Sequence, residues 1–242
     1  MWSGLSRYGV RRQMRVLHFY KTAVPDSMGG VEQVIDQIAR GVNDLGVKTD
    51  VLSLTRARVP RTTEIHGYSA HRARLHFEIA STGFSASAVL RFWQLARKAD
   101  VIHYHFPWPF MDLVHFLTRV KKPTVVTYHS DIIRQKILLS LYRPLRNKFL
   151  DDVNRIVSTS PNYLSTSDVL AQYRQKVVVI PIGLDEKTYT RPSSAKLTYW
   201  RQRFGTKFFL FVGVMRYYKG LHILLQAAKE SDYPIVLVGV GP

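Results

Sequence analysis

Two glycine-bearing turns are the places where this chain could do chemistry. Gly29-Gly30-Val31-Glu32 joins an apolar run to a helical pattern, and Gly213-Val-Met-Arg216-Tyr-Tyr-Lys219-Gly220 does the same near the other end. Glycine lets backbone approach a ligand closely, and the first amides of a helix lack partners within it, so such a turn can cradle an anion such as phosphate. The second turn adds two cations. Arg216 and Lys219 beside a helix start could clamp a diphosphate and neutralise the charge that develops when it leaves, without a metal. The plain alternatives are a tight strand-to-helix turn for the first and a solvated basic turn for the second. His103, His105 and His129 fall near strand ends, where imidazoles could surround a metal. No Asp-x-Asp pair accompanies them and Asp131 is the only carboxylate nearby in its segment, so no metal is expected. Alternation from Val101 to His105 sets His103 opposite Ile102 and Tyr104, as a core histidine would be.

The elements that must position these residues alternate between strand and helix from Met14 onward, the signature of a parallel sheet covered by helices. Val16 to Tyr20 reads as a strand. Val31, Val34, Ile35, Ile38, Ala39, Val42 and Leu45 then recur at helical spacing, with Gly46 closing the helix. A strand at Thr49 to Leu54 leads into an Arg- and His-rich stretch, through about Phe77, that shows no clear pattern. Helices are expected at Ser87 to Lys98, Pro109 to Thr118, Ile132 to Leu150 and Tyr163 to Gln172, and strands at Val101 to Tyr104, Thr124 to Tyr128, Ile156 to Thr159 and Val177 to Ile180. Pro144 should kink or break the third of these helices. The domain reading is an extra segment over 1–13, with Met14 an alternative start, a Rossmann-like domain over 14–187, a polar linker over 188–205, and a second Rossmann-like domain over 206–242. That last part holds two strands, Phe208 to Val212 and Ile235 to Val238, and one helix from Leu221 to Ala228. So few elements cannot cover both faces of a parallel sheet, and the chain is expected to be a piece of a longer protein.

Composition narrows the class. The 242 residues are 46% hydrophobic and 21% charged, as in a folded globular protein, and contain no cysteine, which excludes disulfides and thiolate chemistry and permits a reducing, cytoplasmic compartment. No apolar run is long enough to span a bilayer as a helix, so a membrane would be met from the side. The formal charge of +18 attracts nucleic acid, anionic membrane or phosphorylated small molecules. Nucleic-acid motifs are absent and the basic residues are spread along the whole chain. The stretch from Ile132 to Leu150 mixes Arg134, Lys136, Arg143, Arg146 and Lys148 with Ile133, Ile137, Leu138, Leu141, Leu145 and Phe149, a basic amphipathic pattern suited either to anionic lipid or to a sheet-covering helix with a solvated face.

Six motifs in order, Gly29-Gly30-Val31-Glu32, Asp100-Val-Ile-His103-Tyr-His105, Val126-Thr-Tyr-His129-Ser-Asp131, Ser158-Thr-Ser160-Pro-Asn162, Ile180-Pro-Ile-Gly183-Leu-Asp185 and Arg216 to Gly220, resemble glycosyltransferase family 4 of the GT-B fold, in its bacterial mannosyltransferase-like branch. The resemblance runs from Met14 to Pro242. It implies a retaining transferase that moves a hexose, with mannose from GDP-mannose as the leading candidate, to a glycan or lipid-linked acceptor in the synthesis of surface polysaccharide such as lipopolysaccharide, with no cofactor and no metal. It further implies that His129 orients the transferred sugar, that Gly213, Arg216 and Lys219 hold the donor diphosphate, and that Gly29, Gly30 and Glu32 line the loop near acceptor and phosphates. In many such relatives an Arg directly follows the strand glycine, where this chain has Val214. The family's paired glutamates would lie beyond Pro242, which implies an incomplete donor site in this chain alone. The rival readings are a non-catalytic acceptor-binding module and a basic nucleic-acid-binding protein.

Overall fold

The computed structural model describes residues 13–132, 136–184 and 190–241. The expected appendix over 1–13 lies outside them except for Gln13, as do Ile133, Arg134, Asp185 and Pro242. The chain divides after Leu184 into two compact units.

The first unit opens with β1 (Arg15–Phe19), α1 (Gly30–Asn43) and β2 (Lys48–Thr55). The Arg- and His-rich stretch then folds as β3 (Thr62–Ile65), β4 (Tyr68–Arg74) and the hairpin β5 (Phe77–Ile79) and β6 (Thr82–Phe84). After these come α2 (Ala86–Lys98), β7 (Val101–Phe106), α3 (Pro109–Leu117), β8 (Thr124–Tyr128), α4 (Lys136–Asp152), β9 (Arg155–Ser158), α5 (Pro161–Thr166), α6 (Asp168–Gln172) and β10 (Val177–Val179). The helices start where local chemistry lets them. The Ser85 hydroxyl accepts from the Ala88 amide, the Ser160 and Ser167 hydroxyls cap α5 and α6 in the same way, and Pro109 occupies the first turn of α3, where its missing N–H costs nothing.

Eight strands form one sheet in the order β10-β9-β8-β7-β1-β2-β4-β3, parallel throughout except for β3 against β4. From β1 the chain builds outward through β2 to β4, returns to lay β7 against β1, and then builds the other way. The switch point therefore lies between β1 and β7, and ligands of open parallel sheets bind outside the carboxyl ends of strands at such a point. Aromatic side chains hold the strands to the covering helices: Phe19 meets Phe92 of α2 and Trp108 at 4.8 Å, and Tyr104 meets Phe149 of α4 at 5.2 Å. Each buried aromatic contributes on the order of 2 to 3 kcal/mol.

Pro144 does not break α4, which runs unbroken from Lys136 to Asp152. The amide it lacks would have bonded the Ser140 carbonyl, and both residues are exposed, so water can satisfy that carbonyl, while the buried Phe149 and Leu150 pin the far end to the core. Arg146, expected on a solvated basic face, is buried instead at 6% exposure.

The second unit contains α7 (Ser194–Phe204), β11 (Phe209–Val212), α8 (Leu221–Ala227) and β12 (Ile235–Val238), with β11 parallel to β12. The stretch expected to be linker thus carries a helix. The Ser193 hydroxyl caps it and Gly205, at φ +81°, ends it, two local signals that polar composition had hidden.

Candidate active site

The loop after β1 is organised around Glu32, in the first turn of α1. Thr22 Oγ1 and Ser27 Oγ donate to Glu32 Oε1 at 2.7 and 2.8 Å, and the residue is 8% exposed. Its carboxylate lies against Gly29, where a Cβ would stand 2.4 Å from Glu32 Oε2. A side chain at Gly29 would have to push that carboxylate away from Thr22 and Ser27. One at Gly30 would not, since a Cβ there meets nothing within 4 Å. Glu32 also places a negative charge at the positive end of α1, the place expected to attract an anion from outside.

Across the switch point the sheet lines up four histidines. His18 of β1 is in register with His103 of β7, His105 lies two residues further on the same face, and His129 follows the end of β8. His18 Nδ1 faces His105 Nε2 at 3.0 Å, and His105 Nδ1 faces His129 Nε2 at 3.1 Å, so three imidazoles form a hydrogen-bonded chain. His103 stands beside the chain with Nε2 at 2.8 Å from Thr127 Oγ1. Burial holds all four well on the neutral side: His103 and His129 are pulled down to about 4, and His18 and His105 lie well below the usual histidine range. The Glu32 carboxylate opposes this at His129, which ties the loop and the histidine chain into one electrostatic neighbourhood.

His18, His103 and His105 bring ring nitrogens within 4.8 Å of one another, close enough to raise the question of a metal. Their rings, however, lie over one another, with centroids 4.5 to 5.3 Å apart and planes inclined by 20° to 37°. Ligand lone pairs lie in the ring plane, so rings stacked in this way do not aim them at a common point. Two of the nitrogens are also already engaged with each other. The arrangement fits a hydrogen-bond chain better than a metal centre.

In the second unit Gly213 follows β11 at φ +154°, and its carbonyl is so close to Gly239 that a Cβ there would stand 1.8 Å away. A single helical turn over Tyr217–Lys219 then carries the chain from Arg216 to Gly220, whose φ of +68° opens α8. Arg216 and Lys219 thus lie at the carboxyl end of β11, joined by the Lys219 amide donating to the Arg216 carbonyl at 2.9 Å. The structure groups Gly29, Gly30, Glu32 and His129 in the first unit and Gly213, Arg216 and Lys219 in the second. Sequence reasoning missed His18, which reads as one more residue of an apolar strand, and the inward-facing chain that links it to His129.

A parallel sheet with a central switch point, followed by a second unit in which strand, helix and strand come after a first helix, fits the architecture of GT-B glycosyltransferases. Among solved structures, sucrose-phosphate synthase from Thermosynechococcus elongatus matches with a TM-score of 0.68 at 15% identity, covering 94% of this chain and 62% of that one. Anabaena HepE in complex with UDP-glucose matches with a TM-score of 0.63 at 18% identity, covering 94% and 61%. The chain belongs to glycosyltransferase family 4, whose family model matches residues 28–188. It is 58% identical over 229 residues to the D-rhamnosyltransferase WbpZ of Pseudomonas aeruginosa, covering 95% of this chain and 60% of the relative. It is 49% identical over 232 residues to O-antigen chain mannosyltransferase C of Escherichia coli, covering 95% and 62%. The chain thus spans about three fifths of the length of these relatives.

Proposed function

We propose that this chain supplies the acceptor side and the opening of the donor side of a transferase that moves a hexose from a nucleoside diphosphate sugar, GDP-mannose first among them, to a glycan or lipid-linked acceptor in surface-polysaccharide synthesis, with retention at the anomeric carbon. Family membership supports the reaction class. The names of the two relatives support the sugar, since D-rhamnose is 6-deoxymannose and both names therefore point to the manno configuration.

The observation that carries the reading is the histidine chain that ends at His129 beside Glu32. His18 Nε2 is buried without a hydrogen-bond partner among the described residues. A buried N–H without an acceptor is rarer and costlier than a buried lone pair, so the His18 proton belongs on Nδ1. His18 then donates to His105 and His105 to His129 Nε2, which leaves the His129 proton on Nδ1. His129 is in this way a neutral donor, suited to orienting a sugar oxygen and unsuited to taking a proton. The anomeric carbon's bond to the donor diphosphate breaks as its bond to the acceptor oxygen forms on the same face, and the departing diphosphate takes the acceptor proton. Gly213, Arg216 and Lys219 hold that diphosphate, and Gly29, Gly30 and Glu32 shape the acceptor side. Exposed Leu138 and Leu141 near exposed Arg143 and Lys148 on α4 support contact with an anionic membrane surface on the cytoplasmic side, where a lipid-linked acceptor would be met. No helix of the described residues is long and apolar enough to cross a membrane.

The test is calorimetric titration with GDP-mannose, UDP-glucose and UDP-N-acetylglucosamine, on this chain and on a form extended to the length of its relatives. The expected result is binding of GDP-mannose by the extended form, at least tenfold weaker in Lys219→Ala. Binding of none of the three by the extended form overturns the reading.

A further inference from the structure

The Arg-rich stretch that showed no pattern in the sequence builds a cavity. A space of about 600 Å³ opens where the chain leaves the carboxyl ends of β2 and β4, against one face of α2. Six arginines line it, Arg56, Arg58, Arg61, Arg72, Arg74 and Arg91, and no carboxylate does. Two of the six are answered from outside the lining. Arg72 Nε donates to Asp26 Oδ2 at 2.8 Å and Arg56 Nη2 donates to Glu78 Oε2 at 3.1 Å. Among the described residues no carboxylate pairs with Arg58, Arg61, Arg74 or Arg91. Arg91 spends its Nη2 on neutral acceptors, the Arg61 carbonyl at 3.1 Å and Thr62 Oγ1 at 2.7 Å, and its Nε is buried with no partner. Burial and the neighbouring Arg61 both press the Arg91 guanidinium downward, as unanswered positive charge would.

Crowded guanidinium groups repel one another, and a concave wall of one sign focuses its field on the space it encloses. Arginine forks match phosphate oxygens in pairs. The volume exceeds what one phosphate fills and falls among ordinary ligand sites, which run from roughly 300 to 1,000 Å³. The cavity is also tied to the candidate site. Arg72, which lines it, holds Asp26 of the loop that leads to Gly29 and Glu32 in the same unit.

We propose that this arginine cavity binds the diphosphate group of a diphosphate-linked acceptor and so brings the acceptor to the Gly29 loop. The proposal rests on the transferase reading only for the word acceptor; the diphosphate site itself stands on the cavity.

The experiment uses this chain with inorganic pyrophosphate as probe, titrated calorimetrically at two salt concentrations. Arg58, Arg61 and Arg74 are exposed, so Arg58→Gln/Arg74→Gln leaves the core untouched, and Arg97→Gln, which does not line the cavity and lies over the Trp93 ring, controls for general loss of charge. The expected result is pyrophosphate binding that weakens at least tenfold in the double variant and stays within twofold in the control. In the form extended to its relatives' length, KM for a lipid-diphosphate acceptor should rise by a similar factor, with kcat and the KM for the sugar nucleotide unchanged. A second arm replaces pyrophosphate with vesicles of phosphatidylglycerol and phosphatidylcholine. Absence of pyrophosphate binding, equal binding in the double variant, or sensitivity of vesicle binding alone overturns the proposal, the last by assigning the arginines to lipid headgroups. Pyrophosphate binding that depends on Arg58 and Arg74, together with an extended form that binds no sugar nucleotide, would keep the site and sink the transferase reading.

Discussion

Acidification to pH 5 should destabilise the first unit through its buried histidines. In the native state His103 and His129 are held down to about 4, whereas in the unfolded chain they return to the ordinary value near 6.5. Between these values the unfolded chain binds protons that the native one does not, so stability is intact above about pH 7.5 and falls as pH drops through 6.5 toward 4. At pH 5 each unfolded histidine is almost fully protonated and each native one almost fully neutral, which amounts to about 2 kcal/mol per residue and about 4 kcal/mol for the pair. Against a typical stability of about 5 to 15 kcal/mol, that is a large share. His18 and His105 push in the same direction, and the Glu32 carboxylate beside His129 moderates the effect. The assay is urea unfolding at pH 7.5 and pH 5.0, followed by tryptophan fluorescence, since Trp108 is buried in the core of this unit. Carboxylates also contribute to acid sensitivity, so the decisive comparison is with His103→Asn, which should remove about 2 kcal/mol of the pH-dependent loss whatever it does to stability at pH 7.5. A wild-type loss below about 1 kcal/mol, or an unchanged pH dependence in His103→Asn, would show that these rings titrate as solvated ones and would refute the argument.

Other perturbations follow from single contacts. Gly29→Ala drives a methyl group into the Glu32 carboxylate; it should cost about 1 to 3 kcal/mol in urea unfolding, and Gly30→Ala, facing open space, under about 1. Asp36→Ala strands the Tyr68 hydroxyl and the His66 ring, which bond its carboxylate at 2.9 and 2.8 Å, and should lower stability by about 2 kcal/mol by the same measurement. Pro144→Ala should stabilise α4 by about 1 kcal/mol or more, read as a higher melting temperature; a lower one would mean that the proline ring packs productively. Gly239→Ala should disrupt the pairing of β11 and β12, read as loss of protease resistance confined to the second unit, because its Cβ would overlap the Gly213 carbonyl.

Much of the fold was legible in the chain because its signals are local. Apolar periodicity located most strands and helices of the sheet within a few residues, and glycine at a helix start marked both candidate turns. Where local signals were weak, the reading failed for physical reasons. The polar composition of 194–204 concealed a helix defined by its caps, and His71 and Arg72 in β4 broke the apolar alternation because their side chains serve Asp50 and Asp26 instead of an apolar core. Pro144 was read by its intrinsic cost, which the exposure of Ser140 and the anchoring of Phe149 reduce.

By itself the sequence determined the class of fold, the family resemblance, and the residue types at the turns, since each depends on neighbours within a helical turn or a strand pair. Only the tertiary structure decided that His18 stands against His105, 87 positions away, and that Arg58 and Arg91 share a cavity. Strand order is set by burying the whole sheet at once, so the chemistry it assembles across strands depends on contacts that no local window contains.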